Sequence, residues 1–467
     1  MANSGRYRRK PQKKGIPGLK SVLIIFLCTA LLIAGLELFY FGKEDKTDPN
    51  KGGNIHNSQT GDPTETNPLN TEPLNTEPEP IVKVSTATIA STGDLLMHLP
   101  IITAYKSGDG TYDFTRMFQY LAPYVQEADY AVANLETTLY GERNGKQFSG
   151  YPAFNCPDEI VDGAKDAGFD MLLTANNHSS DTGFDGITRT LEVIDERGMD
   201  RLGIVRELSE KKYAVKEING IRVGMICYTY ETDDTPGSVA LNGIPLSATA
   251  AQMTNTFAYG ELDTFYTNFA QQLADMKADG AEATILYIHW GDEYQISPNQ
   301  HQKTIAQKLC DLGVDVIIGG HPHVVQPVEL ITSTSGDHKT VCLYSMGNAV
   351  SNQRRGNSTS FPQQGYTEDG VLFSVTFAKY SDGTVLLESV KALPLWVNLY
   401  VSAATGKNVY EILPLDDAVD DWKAALDLSD YSLAETKKSY ERTMNLLKDG
   451  IAASQEYLDS IVKPDAA

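Results

Sequence analysis

VDVIIGGHPHVVQ, residues 314–326, runs from an apolar stretch into two glycines and then two histidines that flank a proline. Val314, Val316, Ile317 and Ile318 have the length and β-branched composition of a buried strand, and Gly-Gly-His-Pro is turn chemistry. The strand therefore ends by presenting His321 and His323 side by side. They either meet solvent or reach a common ligand such as a metal, and these thirteen residues leave both open.

Outward from this stretch the pattern repeats. Short β-rich runs fall at 84–91, 130–135, 171–174, 223–228, 284–289, 316–318, 341–344 and 371–377. Between several of them lie helical patterns. Residues 157–167 begin with Pro and are followed by Gly168. Residues 184–197 place Phe184, Ile187, Leu191 and Ile194 on one face, with Gly198 after them. Residues 263–277 and 299–312 read similarly. Strands alternating with helices predict an α/β domain with a central sheet.

Six of the predicted strands end in polar clusters. In chain order these hold Asp94 and His98; Asn134 and Glu136; Asn176, Asn177, His178 and Asp181; His289, Asp292 and Glu293; His321 and His323; and Ser345 and Asn348. Each alone has a plain structural reading: a cap for Asp94, a turn for Asn176 and Asn177, a buried hydrogen-bonded ring for His289 beside Trp290. Together they predict a ligand site beyond the carboxyl ends of the strands, where α/β sheets place one. Imidazole, carboxylate and amide donors without thiolate suit Mn, Fe, Zn or Co. They exceed one tetrahedral shell, whereas two divalent ions about 3.5–4 Å apart and sharing a carboxylate would use them all and clamp a phosphoryl centre. His56, His301 and His338 lie in polar surroundings and are expected in solvent. Neither G-x-S-x-G nor a phosphate-binding G-x-x-x-x-G-K-[ST] occurs in the chain.

The 467 residues carry a net charge of −22, yet the first 20 hold seven basic residues and no acid. An acidic body excludes nucleic acid as the expected partner. The five cysteines (Cys28, Cys156, Cys227, Cys310 and Cys342) form no C-x-x-C pair, so buried thiols are expected and not a disulfide framework. SVLIIFLCTALLIAGLELFYF, residues 21–41, has Glu37 as its one charge and is long enough to span a lipid bilayer. With the basic tail 1–20 before it, a single-pass anchor is expected. The N-terminus would be cytoplasmic and the main domain extracytoplasmic, a cleaved signal peptide being the alternative. Residues 42–82, with PLNTE at 68–72 and again at 73–77, bury almost nothing and read as a disordered linker. The main domain is expected over 83–400 and a helical C-terminal appendage over 401–467.

GDLLMH (93–98), NLETTL (134–139), ANNHSSDTG (175–183), HWGDEY (289–294), GGHPHVVQ (319–326) and YSMGN (344–348) together resemble the CapA family of poly-γ-glutamate capsule synthesis proteins, in the family's order and over residues 85–350. That family is similar to calcineurin-like metallophosphoesterases, which implies an α/β/β/α sandwich. The resemblance implies Asp94, Glu136 and His323 on one metal ion and Glu136, Asn177, His289 and His321 on the other, with His178 as the catalytic residue. Asn176, Asp181 and Arg354 are expected at the substrate. Two departures stand out: Asp94-x-x-x-His98 replaces D-x-H, and Glu136 stands where those enzymes have Asp. The implied function is an anchored protein in poly-γ-glutamate synthesis, export or retention, hydrolysing a phosphoester or γ-amide bond, with the polymer or another anionic envelope polymer and membrane-bound synthase components as partners. A non-catalytic polymer-binding or synthase-associated accessory role is one alternative, and an envelope phosphodiesterase unrelated to capsule another.

Overall fold

The structure, a computed structural model, describes residues 80–461 apart from 233, 234, 236, 363, 419 and 420. The expected basic tail, the expected anchor at 21–41 and nearly all of the expected linker lie outside the described residues. The chain divides into two units, residues 1–76 and 77–467, and the fold below is that of the second. Among the described residues no helix is long and apolar enough to cross a membrane.

The strands come first as β1 (Lys83–Leu95), β2 (Tyr130–Leu135), β3 (Met171–Leu173), β4 (Asp200–Leu202), β5 (Tyr213–Ile218) and β6 (Ile221–Tyr230). Three short ones follow, β7 (Ala240–Leu241), β8 (Ile244–Pro245) and β9 (Thr256–Phe257). Then come β10 (Ala283–His289), β11 (Val316–Gly320), β12 (Val325–Thr332), β13 (Lys339–Met346), β14 (Asn348–Val350), β15 (Asp369–Tyr380), β16 (Val385–Val401) and β17 (Asn408–Pro414). One sheet has the order β17-β16-β15-β1-β2-β3-β4, with β14 also on β1. The other has the order β12-β13-β11-β10-β6-β5, with β9 on β6. The centres, β1 to β4 and β6-β10-β11-β13, are parallel, and antiparallel strands close the flanks.

Alternation along each central strand builds the layers. In β10, Ile285 and Tyr287 face the core between the sheets, while Leu286 and Ile288 face the outer core. In β2, Val132 points inward, and Ala131, Ala133 and Leu135 point outward. Both faces are buried, which is why these strands read as nearly unbroken apolar runs. Helices cover the outer faces. Glu159–Ala167 and Phe184–Glu196 lie on the first sheet through Ile160, Val161 and Val193; Leu262–Ala278 and Gln300–Leu312 lie on the second through Phe269, Leu273, Ile305 and Leu309. The order is helix, sheet, sheet, helix. Local signals set the helix ends: Gly168 and Gly313 take left-handed φ of 105° and 86° at C-caps, and Asn299 with Gln302 forms a capping box.

The sheet does not stop at residue 400, the boundary expected from sequence. β16 ends at Val401 and β17 pairs with it, so that division falls within the hairpin. The last helix, Asp430–Ile461, is 32 residues long and packs along β12 and β16. Leu447 and Leu458 enter the core between the sheets, so the C-terminal helix packs as a wall of the domain. Its Gly450 crosses β12 so closely that a Cβ there would sit 1.9 Å from the Val328 carbonyl oxygen. Gly450→Ala therefore sets a helix-propensity gain of about 1 kcal/mol against overpacking of about 1–3 kcal/mol. A backbone atom cannot step aside, so the clash wins. A lower urea midpoint is expected, and an unchanged or higher one would refute the close packing.

Candidate metal centre

Six of the polar residues predicted at strand ends converge in one place, at the ends of parallel strands from both sheets. Asp94 closes β1, Glu136 follows β2, Asn177 follows β3, His289 ends β10, and His321 and His323 follow β11. Two glycines permit this approach. A Cβ on Gly93 would lie 1.8 Å from the Gly347 carbonyl oxygen, and one on Gly319 would lie 2.0 Å from that of Tyr344. The turn carrying the two histidines is strained, with φ of 95° at His321 and 57° at His323, a region that costs a non-glycine residue about 1–2 kcal/mol. Such strain persists where the surroundings enforce it, commonly at a working site.

The strain sends the two rings to different neighbours. His321 forms one group with Glu136 and His289, and His323 another with Asp94 and Glu136; within each group one donor atom per residue lies within 4.8 Å of the others. Glu136 belongs to both. His323 Nδ1 lies 3.0 Å from Asp94 Oδ2 and 3.1 Å from Asn348 Oδ1. His289 Nε2 lies 2.9 Å from Asn177 Oδ1 and 3.5 Å from Glu136 Oε1. All seven residues are buried.

The protein by itself leaves this centre poorly satisfied. Glu136 Oε1 and His321 Nδ1 are buried without a hydrogen-bond partner, an arrangement that costs about 1–3 kcal/mol per group when nothing else binds there. Burial, then the negative charge of Asp94, pushes the Glu136 carboxyl well above its usual range. Burial and the neighbouring histidines push His321 well down, and burial takes His289 down to about 3. Burial raises Asp94, but its bond to His323 and that ring's charge outweigh it, so Asp94 stays low. The imidazoles of His289 and His321, held neutral, and carboxylates with unused lone pairs are the donor set of a divalent cation, which would relieve each of these penalties. The residues therefore fit a metal site.

His178 lies next to Asn177 and outside both groups. Its Nδ1 is 2.8 Å from Asp181 Oδ2, and its ring meets Phe154 edge-on at 4.6 Å. The three residues expected at the substrate make bonds within the fold. Asp181 orients His178. Asn176 is enclosed and ties β2 to β3: its amide donates to Asn134 Oδ1 at 3.1 Å and to the Leu135 carbonyl at 2.9 Å, and its Oδ1 accepts from the His178 backbone at 3.1 Å. Arg354 donates to the Val397 carbonyl at 2.7 Å and to Glu368 at 3.1 Å, so its charge is answered inside the fold. His98 joins neither group. Its ring packs edge-on against Phe154 at 5.1 Å, and burial takes it down to about 4. His338, expected in solvent, is half-buried with Nε2 2.8 Å from the Val314 carbonyl oxygen.

Two supports stand beside the centre, Asn348, placed in the strand-end cluster by sequence but given no role there, and Tyr230, which the sequence did not mark. Asn348 faces His323 Nδ1 and also donates to the His323 and Thr367 carbonyls. Its place in YSMGN was the available signal. Tyr230, at the end of β6, lies 4.7 Å from the His321 ring, and nothing in its local sequence marks it. The four described cysteines are buried and free, as the spacing predicted.

Residues 88–353 match the profile of the family described as bacterial capsule synthesis protein PGA_cap. The chain belongs to that family. The PGA biosynthesis protein CapA of Bacillus subtilis (strain 168) is 29% identical over 265 residues, 56% of this chain and 62% of that protein. The capsule biosynthesis protein CapA of Bacillus anthracis is 26% identical over 313 residues, 65% of this chain and 66% of that protein. The chain thus spans a little under two thirds of these relatives' own lengths. A crystal structure assigned as a 5′-nucleotidase from Staphylococcus aureus, in complex with alpha-ketoglutarate, overlays with a TM-score of 0.38 at 16% identity. It covers 76% of this chain and 58% of that one, too loose a likeness to carry an argument.

Proposed function

We propose that this chain is a membrane-anchored, extracytoplasmic protein acting in poly-γ-glutamate synthesis, export or retention, and that it is a metal-dependent hydrolase of a phosphoester or γ-amide bond. Family membership and the names of the two relatives support the capsule context. The metallophosphoesterase reading of the four layers rests on the six ordered motifs together with the centre they meet in. The observation that carries hydrolysis is Glu136, shared by both donor groups and holding an unpartnered oxygen. Asp94, Glu136 and His323 would hold one ion, and Glu136, Asn177, His289 and His321 the other. Ions there would supply Lewis acidity: activation of water, and stabilisation of an oxygen that becomes anionic.

The chain's own residues do the rest. Asp181 fixes His178 through Nδ1, which leaves the Nε2 lone pair to take a proton from the attacking water and then hand it to the leaving oxygen or nitrogen as its bond breaks. Asn348 and Asn134 hold His323, Asp94 and Glu136 in place from behind. Arg354 and Arg355 are paired with Glu368 and Glu435, so a polymer-binding role would rest on bound metal ions rather than on these two arginines.

Elemental analysis of the full chain, beside His321→Ala, tests this reading. About two divalent transition ions per chain are expected, falling to about one or fewer in the variant. Retention of the full complement in His321→Ala, or no metal in either protein after metals are added back, would remove the hydrolase reading. A screen of phosphodiesters against poly-γ-glutamate then separates a capsule enzyme from an envelope phosphodiesterase of other purpose.

A further inference from the structure

Asn242 stands at the tip of the β7–β8 hairpin and belongs to none of the roles above. Asn242 and Gly243 have φ of 49° and 69°, the left-handed pair that a two-residue type I′ turn needs and that Asn-Gly favours. The Asn242 side-chain nitrogen donates to Asp181 Oδ1 at 2.8 Å and to the Pro152 carbonyl at 2.9 Å. Both partners are acceptors, so only the NH2 end of the amide can face them. The same nitrogen lies 3.4 Å from His178 Nδ1.

Asp181 is thereby held on both oxygens. Oδ1 takes Asn242, while Oδ2 takes the Phe154 backbone N–H at 2.6 Å and His178 Nδ1 at 2.8 Å. With donors on each oxygen the carboxylate cannot rotate, and the imidazole that bonds it must carry its hydrogen on Nδ1. We propose that Asn242 is a positioning residue: it locks Asp181 and so fixes the tautomer and reach of His178. The hairpin is a separate element from the strand ends that carry the metal-ligating candidates, so this control reaches the centre from outside it. The inference rests on His178 as the proton-transferring group, and its test has a readout that does not need turnover.

Two substitutions separate the amide from the turn. Asn242→Gly keeps the turn, since glycine takes positive φ freely, and removes the donor. Asn242→Asp keeps the shape and sets an acceptor against Asp181. The full chain, with histidine rings labelled with nitrogen-15 and His178 assigned by comparison with His178→Gln, reports the tautomer by NMR. A single Nδ1–H form is expected in the natural chain, and a mixture in both variants with unchanged metal content. Turnover of bis(p-nitrophenyl) phosphate with manganese is expected to show kcat reduced about 10- to 100-fold with KM within twofold, the loss that removal of an orienting partner brings. An unchanged Nδ1–H form in both variants overturns the inference. If the natural chain hydrolyses no phosphodiester, the phosphoester half of the hydrolase reading falls separately and the ring signature alone decides the role of Asn242.

Discussion

On the proposed hydrolase reading, Glu136→Gln is expected to abolish metal binding and turnover while making the metal-free fold more stable. The carboxylate is fully buried, its Oε1 has no partner, and burial with the charge of Asp94 disfavours its ionised form. Glutamine has the same shape without the charge, and it keeps an acceptor for Asn134 Nδ2, which now lies 3.3 Å from Oε2. Removing the buried like-charge contact should raise the stability of chelator-treated protein by about 1–3 kcal/mol. An amide cannot serve as a shared anionic ligand, so metal content should fall from about two ions to below about half an ion per chain. Turnover should drop by about a thousandfold, the equivalent of about 4 kcal/mol of lost charge stabilisation. Added metal should then reverse the stability order, because ligand at a hundred times its Kd stabilises the natural chain by about 2.7 kcal/mol and the variant hardly at all. Urea unfolding with and without chelator reads all of this. A metal-free variant less stable than metal-free natural chain would show that Glu136 is a structural anchor and not a vacant ligand.

This trade between function and stability is what a site of strained turns and unsatisfied donors predicts, and it bears on how legible the molecule was. The central strands were readable because both of their faces are buried, so apolar runs such as VIIGG and ATILYIH mark them without ambiguity. Their polar ends were readable because Asp, Glu and His in series after apolar runs have no packing purpose. The long strand Val385–Val401 was not readable as one. Its first half is only partly buried against the C-terminal helix, and the weak alternation hid it. The partners of the charged residues were hidden for another reason. Arg354 and Arg355 sit just after the last motif and look free, yet the helix that begins at Asp430 brings Glu435 to Arg355 from 80 residues away. Nothing local encodes that meeting. The Asn-Gly turn at 242–243 shows the same division: the hairpin is written in the sequence, and its target, Asp181, is set by the fold.

The C-terminal helix supplies the second large effect. Asp369 opens β15 and is buried; Arg442 donates to both of its oxygens at 2.8 and 2.7 Å, and Ser439 adds a third bond at 2.6 Å. Burial still holds the Asp369 carboxyl up at about 6, with the arginine pulling it down. Arg442→Ala leaves a buried carboxylate without its counter-charge, and at pH 7 a loss of about 3–5 kcal/mol is expected. The sign with pH follows from linkage. A carboxyl whose folded pKa exceeds its unfolded value near 4 binds the proton more tightly when folded, so its contribution to stability declines as pH rises from about 4 to about 6. Without Arg442 the folded value climbs further, and the decline continues above pH 6, where the natural chain has levelled off. The deficit of the variant should therefore be small at pH 4, where Asp369 is neutral in both folds, and greatest at pH 7 and above. Arg442→Ala/Asp369→Asn should recover most of the loss by removing the stranded charge. Thermal or urea unfolding across pH 4–8 decides it. A deficit independent of pH, or a double variant no better than the single one, would mean that the helix is held by the packing of Leu447 and Leu458 and not by this pair.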